Sequence, residues 1–167
     1  MRSPAIRFSR LIRPIFAFLL ALPGSAHARI GAAEVRAGPH GDPCFTISPR
    51  EERLATPDFQ AVTVSDGRRL LWHMSLPPGR PSFALGFAVC VPYGGRVASL
   101  PQTPALALEP GKVYLLRIEP RAARTPNAAA SYEARFCLAK QPDGSAIVHQ
   151  IWDTDREGSR LYGCLPP

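Results

Sequence analysis

No apolar run in this 167-residue chain is long enough to cross a membrane, since a spanning helix needs about 20 apolar residues in succession. Lysine is nearly missing, with 2 Lys against 18 Arg, and no basic run exceeds the pair Arg68-Arg69. The formal net charge of +7 is therefore a poor footprint for nucleic acid, which is held by clustered cations on phosphates, and no nucleic-acid partner is expected. C-x-x-C does not occur, which argues against zinc knuckles and thioredoxin-like redox chemistry. Nor does a G-x-S-x-G elbow, an H-E-x-x-H pair or a glycine-rich phosphate loop, so the usual hydrolase, zincin and nucleotide fingerprints are missing. The chain reads as a protein that is not an enzyme, with no catalytic residue, metal or cofactor assigned.

What is present begins with an address. Arg2, Arg7, Arg10 and Arg13 precede thirteen uncharged residues, Pro14 to Ala26, and then Ala26-His27-Ala28. A positive segment, a short apolar segment and small residues two positions apart make a secretory signal. Residues 1–28 are read as cleaved, leaving 29–167 as one domain. Leu22-Pro23-Gly24-Ser25 has the outline of a lipoprotein signal, but Ser25 stands where the lipidated thiol must be. Serine forms no thioether, so a mature chain without a stable membrane anchor is expected. Cleavage removes four of the 20 basic residues and none of the 13 acidic ones, leaving 16 against 13, or +3.

The four cysteines, Cys44, Cys90, Cys137 and Cys164, all follow the signal. An even count in an exported chain reads as two disulfides. Three pairings are possible. Cys44–Cys90 with Cys137–Cys164 is favoured, because the second bond would tie the last strand to the one before its hairpin. The rival, Cys44–Cys137, would cross between two sheets as in immunoglobulin domains.

Period-two alternation recurs through the rest, in runs beginning near Cys44, Val62, Leu70, Leu85, Val113, Tyr132, Ile147 and Arg160. Short alternating runs separated by Gly, Pro, Asn and Asp, with 19 Pro in all, predict an all-β fold of the immunoglobulin or fibronectin III-like β-sandwich class. Leu108-Glu109-Pro110-Gly111-Lys112-Val113-Tyr114 has the form of a tyrosine corner, where the phenol bonds back to the backbone upstream. His40, His73 and His149 fall on different elements, and His73 and His149 sit on alternating strands as half-buried residues. Arg117, Arg121, Arg124 and Arg135 could gather on paired strands as a basic patch or as a solvated edge. Tyr93-Gly94-Gly95 offers an aromatic on a turn, suited to binding or to loop packing. Asp153-Thr154-Asp155-Arg156-Glu157-Gly158 is the densest acidic cluster; it lacks the spaced ligands of a calcium loop and reads as a hairpin tip.

Cys44-Phe45, Trp72, Cys90-Val91-Pro92-Tyr93-Gly94, Tyr132-Glu133-Ala134-Arg135-Phe136-Cys137-Leu138, Ile151-Trp152-Asp153 and Tyr162-Gly163-Cys164 follow one another in an order that resembles a known family. These are the small proteobacterial periplasmic lipoproteins of type VI secretion immunity. The resemblance covers residues 42–165 and implies a periplasmic protein that binds and blocks a cognate protein toxin. On that reading the loops around Tyr93 and Arg121 to Arg124 would meet the toxin, with Trp152, Asp153 and Asp155 as a second surface. The missing lipidated Cys departs from the family pattern. The alternative is a general envelope protein-binding or scaffolding module.

Overall fold

The computed structural model describes residues 28–95, 100–122, 127–152 and Cys164. The segment read as a signal thus lies outside the described residues but for Ala28, as do Arg124, Asp153, Asp155 and the last alternating run apart from Cys164. The described residues form an all-β chain: β1 (Ile30–Ala37), β2 (Pro43–Ile47), helix α1 (Pro49–Leu54), β3 (Phe59–Ser65), β4 (Leu70–Ser75), β5 (Val91–Pro92), β6 (Val113–Pro120), β7 (Ser131–Lys140) and β8 (Ala146–Ile151). They join in one curled sheet in the order β4-β3-β6-β7-β1-β2-β5, with β8 also on β7.

Alternation decides which way each strand faces. Along β6, Tyr114, Leu116 and Ile118 are buried while Leu115, Arg117 and Glu119 are exposed. One apolar and one wet face is what a period of two produces. The β3–β4 turn is set by Asp66, whose carboxylate accepts the N–H groups of Arg69 at 2.8 Å and Arg68 at 3.1 Å. Gly67 there takes φ +88°, a region that costs glycine nothing. Those two bonds, with Lys112 Nζ at 3.1 Å, hold the Asp66 carboxyl down to about 2.

The curl follows from β1 changing neighbours. Ile30, Gly31 and Ala32 pair in parallel with Ser131, Tyr132 and Glu133 of β7. From Ala33 to Ala37 the strand instead pairs antiparallel with β2. At the fork the Gln150 amide stands in for a peptide group, accepting from Val35 N at 2.7 Å and donating to Ala33 O at 3.2 Å. Leaving those groups dry would cost about 1–3 kcal/mol each. Because the sheet curls, rings far apart in strand order meet: Phe45 of β2 lies 6.2 Å from Trp72 of β4 and 5.6 Å from Phe136 of β7. All three rings are fully buried.

Both disulfides take the favoured pairing. Cys44–Cys90 joins β2 to the loop before β5, and Cys137–Cys164 ties β7 to the C-terminal segment, with Cα separations of 5.5 and 5.9 Å. The tyrosine corner is present: Tyr114 Oη accepts from Glu109 N at 2.6 Å and lies 3.3 Å from Glu109 O.

One local expectation needs correcting, and two elements went unforeseen. The alternating run from Leu85 to Val91 is a loop up to β5, pinned by side chains in place of a ladder. Glu52 accepts from Phe87 N, Thr46 donates to Gly86 O, and Arg36 reaches Phe87 O and covers its ring. Helix α1 and strand β1 carry weak periodicity and are fixed by other means. Ser48 caps α1 by accepting from Glu51 N, Pro49 supplies a compatible φ at the first turn, and buried Glu51 meets Arg29 at 2.8 Å. Gly31 lets β1 lie close to β7, since a Cβ there would sit 2.6 Å from the Tyr132 ring.

Candidate functional site on the outer sheet face

The wet face of β3, β6 and β7, together with the ends of β1 and β8, holds a cleft of about 700 Å³. That is within the range of about 300–1,000 Å³ typical of binding pockets. Register places its residues in rows: Thr63 beside Arg117 and Arg117 beside Glu133; Ser65 beside Leu115, Leu115 beside Arg135 and Arg135 beside Ile151. Three apolar side chains stand around it in solvent: Ile30 at 60% exposure, Leu115 at 41% and Trp152 at 47%. Isolated exposed apolar groups are ordinary on a protein surface, whereas a cluster rimmed by charge marks an interaction site.

The charges there alternate in sign. Arg117 lies between Glu119 at 3.3 Å and Glu133 at 3.4 Å. These are exposed pairs, worth about 0–1 kcal/mol to the fold, so their carboxylates and guanidinium are cheap to redirect toward a partner. Of the four arginines read as a basic patch or a solvated edge, Arg124 lies outside the described residues, and Arg117, Arg121 and Arg135 are not all in one place. Arg117 and Arg135 do share the outer face, but Arg117 is neutralised. Arg121 sits at the end of the sheet, donating from Nε to Gln60 Oε1 at 3.3 Å and from Nη2 to the Arg80 carbonyl at 2.8 Å.

Tyr93 follows the packing half of its expectation. Its hydroxyl donates to Leu106 O at 2.7 Å, and its ring meets Trp72 edge-on at 5.4 Å and Phe45 at 6.3 Å. Burial, with Tyr114 as a neighbour, pushes the phenol up to about 12, against the pull of the Leu106 bond. A side chain held in this way packs against the core. Of the described residues chosen from sequence, Trp152 is placed on the cleft, as are Arg117 and Arg135 of the arginine group, while Tyr93 and Arg121 are not among its lining.

Sequence reasoning passed over Ile30, Leu115 and Glu133. Leu115 was detectable: it is a large apolar residue at an outward position between inward Tyr114 and Leu116. The histidines fall on separate elements. His73 on β4 bonds Thr63 Oγ1 through Nδ1 at 3.1 Å, and His149 lies on β8, four places away in the strand order β4-β3-β6-β7-β8. Among the described residues no three His, Cys, Asp or Glu side chains gather as metal ligands. The arrangement can therefore hold a surface by apolar contact with paired charges around it. Compared with known proteins, the chain matches no family model, no curated protein and no solved structure.

Proposed function

We propose that the protein is an exported, non-catalytic binding module that neutralises an antibacterial toxin in the periplasm, engaging that cognate toxin through the outer-face cleft. The observation that carries this reading is the grouping of Ile30, Leu115 and Trp152 in solvent beside Arg117, Glu133 and Arg135. An apolar centre with a polar rim is the anatomy of a protein–protein interface, and Trp and Arg are the residues most often found at its energetic centre. Export is supported by two disulfides with no free cysteine, a state kept in oxidising compartments. The order of the immunity-family motifs along residues 42–165 supplies the toxin as partner.

The same proposal takes the curled sheet as an immunoglobulin or fibronectin III-like sandwich. In its favour are the change of neighbour within β1, the tyrosine corner before β6, and the contact of Phe45 with Trp72 across the core. A rigid scaffold of this kind presents a preformed surface, which lowers the ordering cost of binding.

The test is protection. The neighbouring gene's toxin, directed to the periplasm, is expected to kill cells lacking this protein and to spare cells that express it. Leu115→Arg and Trp152→Ala are expected to lose both protection and co-purification. If the wild-type protein neither protects nor retains the toxin, the immunity reading fails.

A further inference from the structure

Strands β1 and β8 share one edge of β7. The other edge is taken by β6, which pairs with β7 from Tyr132 to Cys137. On the shared edge β1 runs parallel to β7 and pairs with Ser131 to Glu133. Strand β8 runs antiparallel and pairs from Lys140 back to Arg135. The two strands therefore advance on each other, with Ala134 between their pairings. Strand β1 cannot extend along this edge because Ile151 holds Arg135, and β8 cannot because Ala32 holds Glu133. At Ala33 β1 turns off to pair with β2. Trp152, the residue after Ile151, falls at this collision and lines the cleft together with Ile30 to Ala33.

Strands that part leave peptide groups to be satisfied, and here one side chain takes two of them. Gln150 Oε1 accepts from Val35 N at 2.7 Å, and its Nε2 donates to Ala33 O at 3.2 Å. Both residues it serves are buried. The task needs a donor and an acceptor on one planar head at this length of side chain, which glutamine has and ionised glutamate or leucine does not. Gln150 itself lines the cleft, two residues before Trp152. Ile151 between them is buried and paired with Arg135. A short, fixed path thus leads from the fork to the Trp152 ring. Binding groups keep their geometry only where neighbouring packing and hydrogen bonds lock them.

We infer that Gln150 is the positioning residue of the cleft: by clamping β1 to β8 at the fork, it sets where Trp152 stands relative to Ile30. Its consequence for binding rests on the reading of the cleft as the toxin-binding surface; its consequence for Trp152 does not.

The test follows Trp152 in a Trp72→Phe background, where it is the one tryptophan left. Gln150→Leu keeps much of the side chain's bulk and removes both bonds. Its Trp152 emission is expected to shift to the red and to be quenched more readily by acrylamide. Its affinity for the neighbouring gene's toxin is expected to fall about tenfold or more. Tyr114→Phe, destabilised on the inner face, is the control and should leave both readings at wild-type values, which separates positioning from loss of stability. Gln150→Glu is the second probe should the leucine variant misfold by circular dichroism. At neutral pH its carboxylate still accepts from Val35 N but gives Ala33 O no donor, so the same shift is expected to a smaller extent. A folded Gln150 variant with wild-type emission and quenching overturns the inference, as does an equal shift in Tyr114→Phe. So does a shifted variant that binds the toxin as tightly as wild type. If the shift appears but wild type holds no toxin, the positioning of Trp152 stands and the immunity reading falls.

Discussion

On β6, Tyr114, Leu116 and Ile118 are each 1% exposed, while Leu115, between the first two, is 41% exposed and Arg117 and Glu119 stand in solvent with it. The inward set packs against Phe45, Trp72 and Phe136, whereas outward Leu115 and Arg117 line a cleft with paired charges. One strand thus supplies both the stability of the fold and the candidate binding surface, separated by a single residue step. An inward residue is replaced at a cost to folding, an outward one at a cost to function. Each substitution below strains that separation, beginning with the largest effect.

Removing the largest inward ring should cost most. Trp72→Ala is expected to destabilise the oxidised protein by about 3–5 kcal/mol, the usual range for a buried aromatic, read from denaturant midpoints. Trp72→Phe should cost much less. The buried indole N–H has no acceptor among the described residues, so losing it forfeits no hydrogen bond. Next come the disulfides, each worth about 2–4 kcal/mol, with more expected from the longer loop in the chain-entropy model. Replacing Cys44 and Cys90 by Ala, at a separation of 46 residues, should cost more than replacing Cys137 and Cys164, at 27.

Smaller again is the corner. Tyr114→Phe is expected to cost about 1–3 kcal/mol, because Glu109 N loses its acceptor. The inner face should also be sensitive to alkali. Folding raises the Tyr93 phenol to about 12 and lifts Tyr114 and Tyr132 as well, in each case chiefly through burial. A group raised on folding lends stability that is complete below its unfolded value, near 10 for a tyrosine, and is lost as pH rises through the folded value. Stability should therefore fall between about pH 10 and 12, and Tyr93→Phe should make that fall shallower in thermal melts. No such slope in the wild type would contradict the burial assigned to these rings.

The inner face was largely legible from the sequence because period-two alternation and the Pro110-Gly111 spacing to Tyr114 are local signals. Leu116, Ile118, Tyr132 and Phe136 could be sorted inward by pattern, and the disulfide pairing followed from which strands sit next to one another. Long-range contacts hid the rest. Strand β1 is held by Gly31 against Tyr132 and by the Gln150 amide, 115 residues away from Val35. The run from Leu85 to Val91 alternates like a strand, yet Glu52, Thr46 and Arg36 take its backbone groups. The cleft depends on Ile30, Leu115 and Trp152 meeting from three separate strand regions, which no window of sequence reports. Tyr93, the aromatic that looked most available beside its glycines, is held by Leu106 and the core rings.

The central claim is that stability and binding lie on opposite faces of the same strands. The measurement that tests it most directly takes Leu115→Arg and Leu116→Ala side by side, scoring each for unfolding free energy and for protection against the periplasmic toxin. Leu115→Arg should stay within about 0.5 kcal/mol of wild type, as surface changes usually do, and lose protection. Leu116→Ala should lose about 2–5 kcal/mol, the range for a buried leucine, and still protect wherever it remains folded. Equal destabilisation by both, or full protection by the folded Leu115→Arg protein, would contradict the account.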